Sequence, residues 1–240
     1  MDTEAQHTER DRSSPPSGSG DVPYVAEAAE EPEGRSRSVL AWLTDRVPGG
    51  GLTLTFLLCV GILLLVSAFV MQPFQIPSGS MEPAFRSGDR VLVNKLAYRF
   101  GSEPQRGDAV VFDGHGYFGD ADYIKRVVGT GGDRVVCCDK RGRIKVNGEP
   151  VDEPYLYPNN APSQVPFDVV VPEDSLFLLG DHRSDSRDSR DHLGEPGGGM
   201  IPVDEVIGRA DWIAWPIGRW TSLKRPDSYA RVPDPGGAHG

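Results

Sequence analysis

Hydrophobic and polar positions divide this chain into three zones. Residues 1–50 are rich in Glu, Ser, Pro and Gly with few large apolar side chains, a composition that cannot bury enough surface to fold. From Leu52 to Met71 the run LTLTFLLCVGILLLVSAFVM contains no charged residue; it has the length a helix needs to cross a bilayer. A buried core helix of that length would normally keep a polar face. A cleaved secretory signal is the rival reading. Residues 52–65 have the size of its apolar core, and Val66-Ser67-Ala68 offers small residues for a cut. The long acidic tail ahead of the run, where a short basic segment would stand, favours an uncleaved anchor.

After Met81 the pattern changes to short β-branched runs between glycine and proline clusters, which predicts antiparallel β structure. The expected strands are residues 90–94, 108–112, 123–128, 134–138, 144–146, 175–179 and 206–215. Asn147-Gly148 between two such runs is a hairpin signal. No amphipathic helix is expected after residue 81. The predicted fold is mostly β: an antiparallel β-sheet domain with a smaller β-insert near residues 130–175, anchored by a single N-terminal transmembrane helix. The boundaries are 1–50 for the disordered acidic tail, 51–72 for the span, 73–224 for the β domain and 225–240 for a flexible Pro/Gly-rich C-terminal tail.

Composition narrows the function. A net charge of -10, with no basic patch interleaved with aromatics, excludes a nucleic-acid protein. Arg35, Arg37 and Arg46 precede the span and Arg86 and Arg90 follow it, a slight bias towards an N-terminus inside. Three cysteines make no disulfide framework. Cys59 lies in the apolar run. Cys137 and Cys138 are adjacent, and a bridge between neighbours is strained, so they read as small strand residues, with a redox-labile pair as the alternative. Trp212, Trp215 and Trp220 are candidates for the lipid interface or the core.

Three segments can carry chemistry. In Gln75-Ile76-Pro77-Ser78-Gly79-Ser80-Met81 a proline-stiffened turn presents two serines just after the span; Gly79 permits conformations closed to other residues. Such a turn holds a hydroxyl and a backbone N–H as a serine nucleophile requires, although it also reads as a plain juxtamembrane turn. Of the 25 basic residues only five are lysines. Lys125, in Tyr123-Ile124-Lys125-Arg126-Val127-Val128, shares a strand face with Tyr123 and Val127. Partial desolvation there lowers a lysine pKa and makes it a base for a serine hydroxyl; the bland alternative is an edge lysine with its head in water. The third segment, residues 179–190, alternates carboxylates and guanidiniums. Asp181, Asp188, Arg183 and Arg190 can pair and leave Ser186 to hydrogen-bond a lysine amine. A solvated charge run competes with that reading. A cation site on Asp181, Asp185 and Asp188 lacks the EF-hand spacing and glycine. Histidine is a poor base here: only His182 and His192 fall in a dense polar segment, and a Ser-His-Asp arrangement stays open on spacing alone.

These segments, in this order behind an apolar run, resemble the bacterial type I signal peptidases, the Ser/Lys leader peptidases. The resemblance spans roughly residues 55–220. It rests on Pro77-Ser78-Gly79-Ser80-Met81-Glu82-Pro83, Ser87-Gly88-Asp89 with Val91 and Lys95, Arg106-Gly107-Asp108-Ala109-Val110-Val111-Phe112, the segment from Tyr123 to Gly129 with Gly132-Asp133, and Gly180-Asp181-His182-Arg183 with Ser186, Asp188, Ser189 and Arg190. It implies Ser80 as nucleophile, Lys125 as general base, and Ser186 orienting the amine. The Ser80 N–H and the Ser78 hydroxyl would form the oxyanion hole. Asp181, Arg183, Asp188, Arg190 and Arg126 would support the site. No metal or cofactor is implied. The partners implied are signal-peptide-bearing preproteins, bound as an added strand and cut after small residues of the Ala-X-Ala type, and membrane lipid. The enzyme would sit in the cell membrane as a single-pass protein, N-terminus cytoplasmic and catalytic domain extracytoplasmic. Two departures stand out: Gly131 where the family often has proline, and His182 where asparagine is common. Two other functions compete: a catalytically silent membrane-anchored β module that binds envelope or secreted proteins, and a narrow-specificity Ser/Lys protease. Intact Ser80, Lys125 and Ser186 favour the enzyme. Oligomeric state is not legible.

Overall fold

A computed structural model describes residues 50–236. The expected disordered tail, residues 1–50, lies outside the described residues apart from its last. The expected span falls on α1 (Gly50–Phe69). Among the described residues no helix is long and apolar enough to cross a membrane. The chain leaves helix before Met71 because β1 begins there. Phe56, Leu57, Leu63 and Leu64 of α1 are exposed, so the helix presents an apolar surface to its surroundings.

Twelve strands follow: β1 (Met71–Gln75), β2 (Arg90–Asn94), β3 (Ala109–Asp113), β4 (Asp122–Thr130), β5 (Arg134–Cys137), β6 (Ile144–Val146), β7 (Glu149–Pro150), β8 (Phe167–Val170), β9 (Ser175–Leu179), β10 (Ile201–Pro202), β11 (Val206–Trp215) and β12 (Thr221–Ser222). They form two antiparallel sheets. The larger runs β1-β2-β11-β3-β4-β9-β10 with β12 beside β11; the smaller, β7-β6-β5-β8, is the expected insert. Alternation along β4 holds. Tyr123 and Val127 pack in one cluster with Val110 and Phe112, and Ile124 packs in another with Val91 and Val111. A third cluster joins the sheets, bringing Val128, Phe177 and Leu179 against Val135, Ile144, Val146 and Phe167.

Besides the two-residue strands β7, β10 and β12, two longer strands escaped the sequence pattern. β1 contains Pro73, which lacks a ladder donor; it is tolerated because β1 is a sheet edge. β8 sits between Pro166 and Pro172, which mask it as loop. The hairpin signal holds: Asn147 and Gly148 have φ of 52° and 84°, the pair of positive values a tight hairpin turn requires.

Two expectations are corrected, and one pair of alternatives is narrowed. Cys137 and Cys138 form a disulfide rather than standing as separate strand residues. Residues 225–236 do not fray: Tyr229 and Val232 are buried in the cluster that joins the sheets, giving the segment an apolar reason to stay. Trp212, Trp215 and Trp220 are not core residues but are 40%, 51% and 60% exposed.

Candidate active site

The turn after β1 is fastened at both ends. The Ile76 N–H donates to the Asp89 carbonyl at 2.8 Å and the Gly88 N–H to the Ile76 carbonyl at 2.9 Å. Ile76, Met81 and Phe85 are buried in one cluster, so the intervening serines are forced outward from it. Gly79 is not in the left-handed region, and a Cβ there would meet only ordinary contacts. The freedom expected of it is unused. Its neighbour Ser80 is only 8% exposed.

Lys125 stands in the middle of β4, opposite Val110 of β3, and the residue is 2% exposed. Its Nζ donates to Ser80 Oγ at 2.9 Å and to Ser186 Oγ at 3.0 Å. Burial drives its pKa from 10.5 down to about 8; Asp188 and Asp181 pull against that fall, and Arg190 adds to it. A lysine so placed loses its proton near pH 8, below an ordinary lysine, while holding two serine hydroxyls within hydrogen-bond reach. The Ser78 hydroxyl donates to Ser80 Oγ at 3.3 Å. Among the described residues no hydrogen bond occupies the Ser80 N–H, which leaves it free for an incoming oxygen.

The loop after β9 brings Ser186 to the amine. Asp188 accepts from the Gly180 N–H at 3.0 Å and from both arms of Arg190 at 2.8 Å. It also caps the short turn Ser189–His192. Burial raises the Asp188 pKa, but the Arg190 fork and the Gly180 N–H outweigh it and the group stays below the usual carboxylate range. The His182 N–H donates to the Ser80 carbonyl at 3.0 Å, tying this loop directly to the serine turn.

Residues 51–215 match the family model described as signal peptidase, peptidase S26. The chain belongs to the S26 signal peptidase family. The chain is 33% identical over 218 residues to the probable signal peptidase I of Mycobacterium leprae, covering 68% of this chain and 75% of the relative. It is 36% identical over 211 residues to signal peptidase I of Mycobacterium tuberculosis, covering 68% and 71%. Against signal peptidase IB of Staphylococcus aureus the identity is 33% over 183 residues, covering 70% and 90%. The protein is a peptidase, and so a hydrolase.

The supporting pairs of this peptidase differ from those expected. Asp188 does pair with Arg190, but Asp181 pairs with Arg126 at 2.7 and 2.5 Å, and Arg183 pairs with Glu153 at 2.5 Å. All six of these side chains are buried, so each charge needs its partner. Glu153, and Tyr155 beneath the Arg126 guanidinium at 4.4 Å, were not singled out from sequence. They come from the insert, and nothing in their local spacing announces the partner. Gly180 stands in the sequence as one position of the Gly180-Asp181-His182-Arg183 motif. A Cβ there would collide with Ser186 Oγ and approach the Ser80 carbonyl to 2.6 Å, so the two loops meet only across a glycine.

Histidine takes no part at the serine side chain. His182 touches Ser80 through its backbone alone, its ring stacked on Tyr157 at 3.8 Å. His192 stacks on Phe118 and pairs with Glu195. Among the described residues no cluster of His, Cys, Asp or Glu could hold a metal ion. A large cavity lined by Arg106, Thr130, Glu173, Asp227 and Tyr229 includes neither Ser80 nor Lys125. An extended peptide laid along a strand needs a shallow groove rather than an enclosed pocket, so the size of that cavity says nothing about the reaction.

Proposed function

We propose that this signal peptidase is a membrane-bound serine endopeptidase that removes N-terminal signal peptides from exported proteins by Ser/Lys catalysis. The observation that carries the proposal is the buried Lys125 amine, 2.9 Å from Ser80 Oγ and 3.0 Å from Ser186 Oγ. The neutral amine takes the Ser80 proton as Oγ attacks the scissile carbonyl, and the lysine then returns that proton to the leaving amine. Ser186 fixes the amine's direction. The Ser80 N–H and the Ser78 hydroxyl stabilise the oxyanion of each tetrahedral intermediate. Water, activated by the same lysine, releases the acyl group. Substrate enters as an extended strand and is cut after small residues in an Ala-X-Ala pattern.

Membrane attachment belongs to the same proposal. The exposed apolar side of α1 leads directly into β1 and the Ser80 turn, and Trp212, Trp215 and Trp220 add exposed aromatic surface. The N-terminus is cytoplasmic and the β domain extracytoplasmic, where signal peptides emerge beside Ser80.

The test uses the full chain in detergent with a peptide carrying Ala-X-Ala before the cut. Ser80→Ala and Lys125→Ala abolish turnover, whereas His182→Asn retains much of it. For the unmodified chain kcat rises with pH through about 8, because Lys125 must be neutral to act. Full activity in Lys125→Ala sinks the mechanism; loss in a folded His182→Asn restores a histidine base.

A further inference from the structure

Residues 225–236 form a strap whose contacts run to both sheets. Arg225 Nε donates to Asp108 at 2.8 Å beside β3, and the Pro233 carbonyl accepts from Asn147 at 3.0 Å in the hairpin turn of the insert. Between these ends Tyr229 passes over Gly107, where a Cβ would stand 2.9 Å from Arg225 and 3.2 Å from Tyr229. The glycine is what lets the strap lie flat. Its carbonyl accepts from Arg126 at 2.8 Å.

The buried middle of the strap reaches the insert through a hydroxyl. Tyr229 and Tyr155 share a hydroxyl–hydroxyl hydrogen bond of 2.8 Å. From Tyr155 two branches lead to the same place. Its ring lies under Arg126, which forks onto Asp181. Its hydroxyl donates to Glu153 at 2.7 Å, Glu153 pairs with Arg183, and Arg183 donates to the Gly180 carbonyl at 2.9 Å. Both branches end on Gly180-Asp181, of which Gly180 abuts Ser80 and Ser186.

We propose that Tyr155 and Tyr229 are positioning residues for the peptidase, through which the C-terminal strap fixes the loop that faces Lys125. The proposal rests on the Ser/Lys reading above. Lys125 is faced by Asp181, Asp188, Arg190 and Asp191. A loop released from Tyr155 admits water to the amine and lets these charges relax. The lysine then holds its proton to higher pH, so the reaction slows most near neutrality.

The experiment compares Tyr155→Phe and Tyr229→Phe with the unmodified full chain in detergent. Phenylalanine keeps the packing and the face beneath Arg126 and deletes only the hydroxyls. Thermal unfolding reports folding, and Arg231→Ala, at an exposed site on the same strap, serves as control. The expected result is kcat reduced about tenfold at pH 7 with KM within about twofold, the rising limb displaced upward by about one pH unit, and recovery towards pH 10. Folded variants with an unshifted limb overturn the proposal, whether kcat is unchanged or falls equally at every pH. Lys125→Ala, run alongside, separates the two readings. If it is inactive while both phenylalanine variants match the parent, only the strap proposal fails; if it is active, both fall.

Discussion

Lys125 is stable in its site only at a cost that depends on pH. The folded chain lowers its pKa to about 8 while the unfolded chain keeps it near 10.5. Between those values the unfolded state binds more protons, so stability rises with pH across that window, and below pH 8 the buried ammonium opposes folding by about 3 kcal/mol. Lys125→Met removes the titration. The stability difference between parent and variant, followed by denaturant unfolding from pH 7 to pH 11, should move in the parent's favour by that order; a flat difference means the amine is not desolvated. Gly180→Ala probes the same site without touching a functional group. Its Cβ would push Ser186 and the Ser80 carbonyl apart, so kcat should fall by about a hundredfold with a native near-UV spectrum. Retained activity would show that the loops do not need their close approach. Ser80, Lys125 and Ser186 were singled out in sequence by residue type and motif, and Ser78 by the family resemblance; the structure brings the four within hydrogen-bond reach of one another. The partners of Asp181 and Arg183 were not. A carboxylate in a charge-rich loop can pair with any guanidinium, and the true partners, Arg126 and Glu153, come from a distant strand and from the insert.

At the scale of elements, legibility followed burial. β2, β6, β9 and β11 were predicted to the residue, since alternation or a continuous apolar run marks a strand that packs against something. β1 and β8 were hidden by proline. Gly131, where the family often has proline, lies close against Glu173 and Asp174, where a Cβ would come within 3.1 to 3.3 Å. The C-terminal segment was misread because composition was weighed and its two apolar anchors, Tyr229 and Val232, were not. For α1 the proposal of membrane attachment yields a direct outcome. The full chain mixed with lipid vesicles should resist alkaline extraction, while a chain beginning at Val70 should be released into the supernatant. Release of both would remove the anchor from the proposal.

For the molecule as a whole, the larger sheet holds the serine turn and the lysine strand, and the insert contributes Glu153 and Tyr155, which hold Arg183 and Arg126 of the buried pairs that steady the loop between them. This division explains why an insert remote in sequence from Ser80 bears on its surroundings. It also assigns the three cysteines different fates: Cys137 and Cys138 are closed on each other at the insert, and Cys59 stands exposed on α1. Protein unfolded without reductant should therefore take up one maleimide per chain, and protein unfolded with reductant three; three without reductant would mean the bridge is open. The consequence is practical. The chain arrives with one ready thiol, on the helix whose surroundings matter most, so a fluorophore or spin label coupled there can gauge its depth in lipid while the peptidase turns over, with no cysteine added or removed.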